Sequence, residues 1–289
     1  MRCLVIGASS YIAKNFIQKY HKQFKITALS RNEELASYFD LTNEQFQDFD
    51  VLINFTAIVH QKNPDQDLSH TINTELPIFL AIKAKEAGIT QFIQMSTIAV
   101  YASSLTQIDQ NSETLPSTLY GQTKLQADQQ LSSMQSHNFN VVIIRPPIVY
   151  GEGAPGNMFA LVSLLKKGFP LPFLYKKNKR SILYVENLTT ALSLVIEKYA
   201  KGLFLLCDED SPSLAILCIE INHQLKCNTK LFSIPSLLVN FLIHFKQLPF
   251  YKLYGNLVLD DSHAQKQLGK YNITPLQAAL AKTLKRDLC

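Results

Sequence analysis

The stretch from Arg2 to Leu29 constrains the fold more than any other. An apolar run, Arg2–Ile6, stops at Gly7 and passes through Gly7-Ala8-Ser9-Ser10-Tyr11-Ile12-Ala13 into an amphipathic segment ending near Tyr20. A second apolar run, Lys25–Leu29, follows. Strand, tight turn, helix and strand in this order make a βαβ unit, which commits the chain to a parallel sheet. Gly7 permits the turn, and open amides at the helix start can bind a pyrophosphate. The loop reads G-x-x-S-x-x-A, with Ser10 and Ala13 where a dinucleotide fingerprint carries glycine, so Ser10 is expected to crowd a pyrophosphate. A glycine after a first strand is also an ordinary turn, and the loop acquires meaning only from what accompanies it.

The alternation continues. Val51–Phe55, Phe92–Met95 and Val141–Ile144 read as strands apolar on both sides of the pleat, as strands covered on two faces must be. Pro77–Ala87 reads as a helix stopped by Gly88, and Leu119–Met134 as a helix with Tyr120, Ala127, Leu131 and Met134 on one face. After Pro146, Gly and Pro crowd a short region and Lys176, Lys177, Lys179 and Arg180 form a basic cluster. Helical patterns resume at Val185–Tyr199 and Pro212–Leu225, and a last helix is expected with Thr274 as N-cap and Pro275 at its first position. Leu237–Phe245 is too short to span a bilayer and reads as a core helix; its rarer reading is a surface meeting a lipid-linked sugar or the membrane face.

Composition narrows the function classes. Hydrophobic residues make up 47% and charged residues 18% of 289, enough for a sizeable core. A net charge of +5 falls short of a nucleic-acid footprint, so no nucleic-acid partner is expected. Five scattered cysteines without C-x-x-C spacing argue against disulfides or zinc and for a reducing compartment. With neither a signal-peptide pattern nor a spanning segment, the expectation is a soluble cytoplasmic protein. No histidine pair has metal-ligand spacing, and P-loop and nucleophile-elbow patterns are absent, so no metal is expected.

A second constellation carries chemistry. Tyr120-Gly121-Gln122-Thr123-Lys124 places a phenol and an ammonium at i and i+4 on one helix face. A phenol near pKa 10 is a poor base at neutrality, and a neighbouring ammonium is expected to draw it down, making Tyr120 a proton shuttle. Met95-Ser96-Thr97 closes a strand, where a hydroxyl can share a hydrogen bond with a reacting oxygen. Y-x-x-x-K alone is commonly a surface pair; following a βαβ unit, it is far more specific.

These motifs, with Asp40-Leu41, Phe55-Thr56-Ala57, Ser96–Tyr101, Arg145–Gly151, Gly156-Asn157, Arg180–Val185 and the segment from Leu257 to Leu284, resemble the extended short-chain dehydrogenase/reductase superfamily and its NAD-dependent epimerase/dehydratase branch. The resemblance implies an α/β Rossmann fold, a doubly wound parallel sheet with a smaller C-terminal substrate-binding lobe. Residues 1–150 would form the NAD(P)-binding domain, completed by about 181–206; 151–180 and 207–289 would form the lobe. It implies Thr97, Tyr120 and Lys124 as the catalytic set and Gly7, Ser10, Tyr11 and Ile12 as the pyrophosphate loop. Asp40 and Leu41 would contact adenine, Phe55, Thr56 and Ala57 would lie where the fourth strand passes the cofactor, Asn73 would lie near it, and Pro147 would line the nicotinamide. Asn157 and Arg180 would bind substrate, Arg180 gripping a nucleotide diphosphate.

The activity so implied is hydride transfer at a hexose carbon of a nucleotide sugar, foremost a UDP-sugar 4-epimerase. An NADPH-dependent 4-ketoreductase of a 4-keto-6-deoxy sugar is the alternative, and a non-catalytic NAD(P)-binding regulator is a third. The second strand ends Leu29-Ser30-Arg31; an arginine there suits a 2′-phosphate and tilts the cofactor toward NADP over NAD, although Arg31 also reads as a solvated loop charge. A homodimer is compatible with the reading.

Overall fold

The structure, a computed structural model, describes residues 1–31, 37–59, 65–235, 237–239, 241 and 253–285. Its strands are β1 (Arg2–Ile6), β2 (Lys25–Leu29), β3 (Val51–Asn54), β4 (Gln91–Met95), β5 (Gln107–Ile108), β6 (Asn140–Arg145), β7 (Ile148–Tyr150), β8 (Ile182–Tyr184), β9 (Gly202–Leu205) and β10 (Val258–Leu259). Its helices are α1 (Tyr11–Tyr20), α2 (Gln66–His70), α3 (Leu76–Glu86), α4 (Leu119–Ser133), α5 (Asn157–Lys166), α6 (Val185–Glu197), α7 (Leu214–Leu225), α8 (Ser262–Leu268) and α9 (Leu276–Thr283). The central sheet has six strands in the order β2-β1-β3-β4-β6-β9, every pairing parallel. The mixed α/β architecture is the one expected.

Alternation along each strand sorts the core into two layers. Cys3 and Val5 of β1, with Ile53, Ile93 and Ile144, face Phe16 of α1 and Leu188, Leu192 and Val195 of α6. Leu4 and Ile6, with Leu52, Phe92 and Val141, face Leu80 and Ala84 of α3 and Ala127 and Leu131 of α4. A third cluster joins α5, α7 and α9 to β7 and β8 through Tyr150, Leu165, Tyr184, Cys218, Ile221 and Leu280.

Several expectations need correction. The run Lys25–Leu29, apolar on both sides of the pleat by its pattern, is not covered on two faces: among the described residues β2 is the outermost strand, bonded to β1 alone, and its residues are half-buried or exposed. Val51–Asn54 is the third strand in chain order among the described residues, not the fourth. β9 escaped notice as a strand because it is only four residues long and opens on Gly202. α9 begins at Leu276 with Pro275 as N-cap. Thr274 is held instead by Asn187, whose Oδ1 accepts from its amide at 3.0 Å and whose Nδ2 donates to its carbonyl at 3.1 Å. In Leu237–Phe245, residues 237–239 and 241 are helical as expected, but Val239 is buried while Leu237, Leu238 and Phe241 are 84%, 49% and 58% exposed, so the described part lies at the surface, not in the core; Asn240 and residues 242–245 lie outside the described residues. No helix among the described residues is long and apolar enough to cross a membrane.

Candidate active site

Four loops leave the carboxyl ends of the adjacent parallel strands β1, β3, β4 and β6, so the sheet itself delivers them to one edge. That edge is where open α/β sheets bind ligands. Gly7 follows β1, Phe55–Ala57 follow β3, Ser96 and Thr97 follow β4, and Pro146 and Pro147 follow β6. The β1 loop is tied down on both sides: Gly7 and Ala8 amides donate to Leu29 O at 3.1 Å, and Phe55 N donates to Ile6 O at 2.9 Å. Gly7 adopts φ +77°, and a Cβ there would stand 2.9 Å from Thr56 N. Only glycine satisfies both the turn and the contact.

Ser10 also has a local role: its side chain caps α1, accepting from Ala13 N at 3.3 Å. The Tyr11 and Ile12 amides remain at the open helix start. The Tyr11 ring runs into the third apolar cluster, where its buried hydroxyl has no hydrogen-bond partner, and Ile12 packs on the sheet layer beneath α1. Arg31 and Asp40 are exposed, whereas Leu41 is buried in the α3–α4 layer. Tyr38, which sequence reasoning missed, backs the loop with its hydroxyl 3.4 Å from Leu29 O. Of the β3 exit, Thr56 is buried and Ala57 exposed.

Asn73 lies in a π-helical turn, Thr71–Glu75, between α2 and α3. Its amide is fully engaged: Oδ1 accepts from Ile58 N at 2.9 Å, and Nδ2 donates to Ile58 O at 3.1 Å and Thr123 Oγ1 at 3.2 Å. Asn73 therefore shapes the β3 exit and fastens it to α4. Thr74 Oγ1 adds a 2.8 Å bond to Thr123 O. The helix carrying Tyr120 and Lys124 is stitched to the strand exit that would face a dinucleotide.

Thr97 caps a short 3-10 turn, Ile98–Val100, its hydroxyl accepting from Ala99 N, and Ile98 N donates to Pro146 O at 3.2 Å. Gly121 lets α4 approach this turn, since a Cβ there would lie 2.2 Å from Ala99 O. The approach brings the Tyr120 phenol beside Thr97, whose side chain favours the ionised form. Beneath them runs a network absent from the sequence-level candidates. Asp128, one turn beyond Lys124, accepts from Ser96 Oγ at 2.7 Å and Arg145 Nε at 2.9 Å; Arg145 Nη1 donates to the Tyr101 hydroxyl at 2.9 Å. Asp128 and Arg145 are buried. The i, i+4 spacing of Lys124 and Asp128 was the signal for it.

The electrostatics also correct an expectation. Burial pushes the Tyr120 phenol up to about 12, against the hydrogen bond from Thr97 and reinforced by Asp128. Burial lowers Lys124 to about 8, opposed by the Asp128 charge. The ammonium thus does not draw Tyr120 down in this arrangement, because Lys124 gives up its proton near 8, well before a phenol near 12 titrates.

Lys124 is fully buried and its Nζ has no hydrogen-bond partner. An ammonium in that position calls for acceptor oxygens, and the Gly7 cradle and α1 amides call for an anion. A nicotinamide dinucleotide, with ribose hydroxyls and a pyrophosphate, supplies both, so the residues fit the group. Below about pH 8 the ammonium is charged before and after binding; above it, binding must take up a proton. Cofactor affinity should hold steady up to about pH 8 and then fall by up to about tenfold per pH unit. Lys124→Met should weaken binding and flatten that profile, as read by calorimetric titration.

The expected substrate residues lie on the segments after β7. Arg180 is half-buried beside β8, and its Nη1 donates to Gly255 O at 3.3 Å. Lys176, Lys177 and Lys179 are exposed. The Asn157 side chain lies outside the described residues. Arg180→Ala should raise the Michaelis constant for a sugar nucleotide by about ten- to a hundredfold with cofactor affinity unchanged, while Lys176→Ala should leave it alone. Equal effects in both variants would reassign the grip to diffuse positive charge.

Comparison with known proteins accords with this geometry. The chain is 30% identical over 256 residues to the UDP-glucose 4-epimerase of Vibrio cholerae, covering 82% of this chain and 78% of the relative. It is 23% identical over 237 residues to the N-acetyl-alpha-D-glucosaminyl-diphospho-ditrans,octacis-undecaprenol 4-epimerase of Escherichia coli O157:H7, covering 77% and 72%. Its fold is similar to that of UDP-glucuronic acid 4-epimerase from Bacillus cereus in complex with NAD, with a TM-score of 0.80 at 16% identity over 99% of this chain and 96% of the other. Residues 3–204 match the NAD dependent epimerase/dehydratase family along most of the chain, and the protein belongs to that family of NAD(P)-dependent enzymes.

Proposed function

We propose that the protein is a 4-epimerase of a UDP-sugar, acting through Thr97, Tyr120 and Lys124. The observation that supports this most is the fully buried Lys124, whose Nζ has no hydrogen-bond partner, four residues beyond Tyr120 on α4. Tyr120 takes the proton of the sugar hydroxyl and later returns it; Thr97 holds the same oxygen; Lys124 holds a ribose and stabilises the phenolate. The bound cofactor supplies hydride acceptance and return. Tyr120 must fall from about 12 as the site fills, and acceptor oxygens that keep Lys124 charged provide the reason. The relatives act on sugars carried on diphosphates, one uridine-linked and one undecaprenol-linked, and the shared sugar-diphosphate chemistry suits Arg180. Incubation with a panel of UDP-sugars should interconvert C4 epimers with no net change in cofactor absorbance. Failure across the panel would overturn the reading.

Arg31 favours a second reading, an NADPH-dependent 4-ketoreductase. It is exposed at the end of β2, where a 2′-phosphate would be met. NADP(H) should then bind at least as tightly as NAD(H), and Arg31→Asp should reverse the order in a calorimetric titration. Stoichiometric NADPH consumption with a dTDP-4-keto-6-deoxy sugar would select this reading; strong NAD preference in the unmodified protein would discard it.

A further inference from the structure

The face formed by α5, the turn after it and the strand-like segment 229–232 has a composition unlike the rest of the molecule. Residues 153–185 and 221–241 contain eight of the chain's 28 Lys and Arg and none of its 23 Asp and Glu, so the remainder of the chain is net acidic. Against a chain-wide net charge of only +5, this is a strong separation. Large apolar side chains stand in solvent on the same segments. Phe159 is 66% exposed, Phe169 64%, Phe232 48%, Leu237 84%, Leu238 49% and Phe241 58%.

Backbone contacts bring these side chains to one region. Phe159 and Lys166 are seven residues apart on α5, two turns, and so share one outward side, while Val162 and Leu165 face the core. The chain turns at Gly168, φ +74°, which presents Lys167 and Phe169 beyond the helix end. The following segment is bonded to 230–232: Leu171 N donates to Lys230 O at 2.9 Å, Phe232 N to Leu171 O at 3.0 Å, and Leu174 N to Phe232 O at 3.1 Å. Thr229 Oγ1 fastens the same segment to Leu165 O. Pro235 O then accepts from Leu238 and Val239 at 3.0 and 3.1 Å, so Val239 turns inward while Leu237 and Leu238 turn outward. Exposed phenylalanines flanked by Lys166, Lys167 and Lys230, on segments whose own sequence holds no Asp or Glu, match an anionic bilayer surface, with apolar rings entering the headgroup boundary and lysines meeting lipid phosphates. Exposed aromatic rings beside lysines, on segments without carboxylates of their own, favour an anionic headgroup layer over a protein partner or a second copy.

We propose that this face docks peripherally on anionic phospholipid membranes. Docking is independent of the catalytic reading, since it needs neither substrate nor cofactor. The full chain should float with vesicles of equal parts phosphatidylglycerol and phosphatidylcholine and stay behind with phosphatidylcholine alone, and rising salt should release it. Lys166→Glu with Lys167→Glu should lower partitioning by at least about tenfold, and Phe169→Ser with Phe232→Ser should do so with the salt dependence retained. Cofactor affinity, measured on each variant, should be unchanged and shows that the variants are folded. No binding to either vesicle, equal binding to both, or a concentration-dependent dimer dissociated by the phenylalanine variants would overturn the proposal. The last outcome would assign the face to a second copy.

Discussion

Tyr120→Phe should cut turnover by on the order of 10²-fold or more while leaving the fold and cofactor affinity intact. The phenyl ring keeps its place at the start of α4, because Thr118 caps the helix and Gly121 still allows the approach to Ala99. What is removed is one hydroxyl, the group that Thr97 acts on. Steady-state rates with unchanged binding isotherms check the result; undiminished turnover would remove Tyr120 from the proposed mechanism. A companion Thr97→Val variant should fall by less, since Thr97 shares an oxygen without moving its proton.

Asp128→Ala should lower stability by about 3–5 kcal/mol, among the largest effects expected of a single substitution here. Arg145 would be left buried with its charge answered only by the Tyr101 hydroxyl and ring, and Ser96 would lose its acceptor. Ser96 immediately precedes Thr97, Lys124 lies one turn from Asp128, and Arg145 immediately precedes the two prolines. The loss therefore reaches two of the four strand exits that build the site and the helix that carries Tyr120 and Lys124. Asp128→Asn, which keeps one acceptor but not the charge, should fall between Ala and wild type. Denaturant unfolding separates the three. A variant as stable as wild type would show that the Asp128–Arg145 pair merely offsets its own desolvation.

Much of the frame was legible because it is local. The period of apolar residues placed β1, β3, β4 and β6 within a residue or two, and Gly7 and Gly88 marked their turns. Tyr120 and Lys124 were legible for the same reason: four residues on a helix always share a face. The ends of α7 and α9 were less so. α7 starts at Leu214 behind a Ser213 cap, two residues inside the expected Pro212, and Thr274 is claimed by Asn187, far away in sequence; competition for one amide is invisible to a local pattern.

By itself, then, the amino-acid order determined a βαβ start, a parallel sheet and a Tyr–Lys pair, all of which depend on residues within a few positions of one another. Tertiary structure decided what those groups are worth. Ser10 became the cap of α1 because its hydroxyl found Ala13 N. Tyr120 rose to about 12 instead of falling, and Lys124 fell to about 8, because both are withdrawn from water by segments remote in sequence. Asp128 became a buried hub only when β4, α4 and β6 met. Desolvation and the pairing of distant polar groups depend on what the chain packs against, and no spacing rule carries that information.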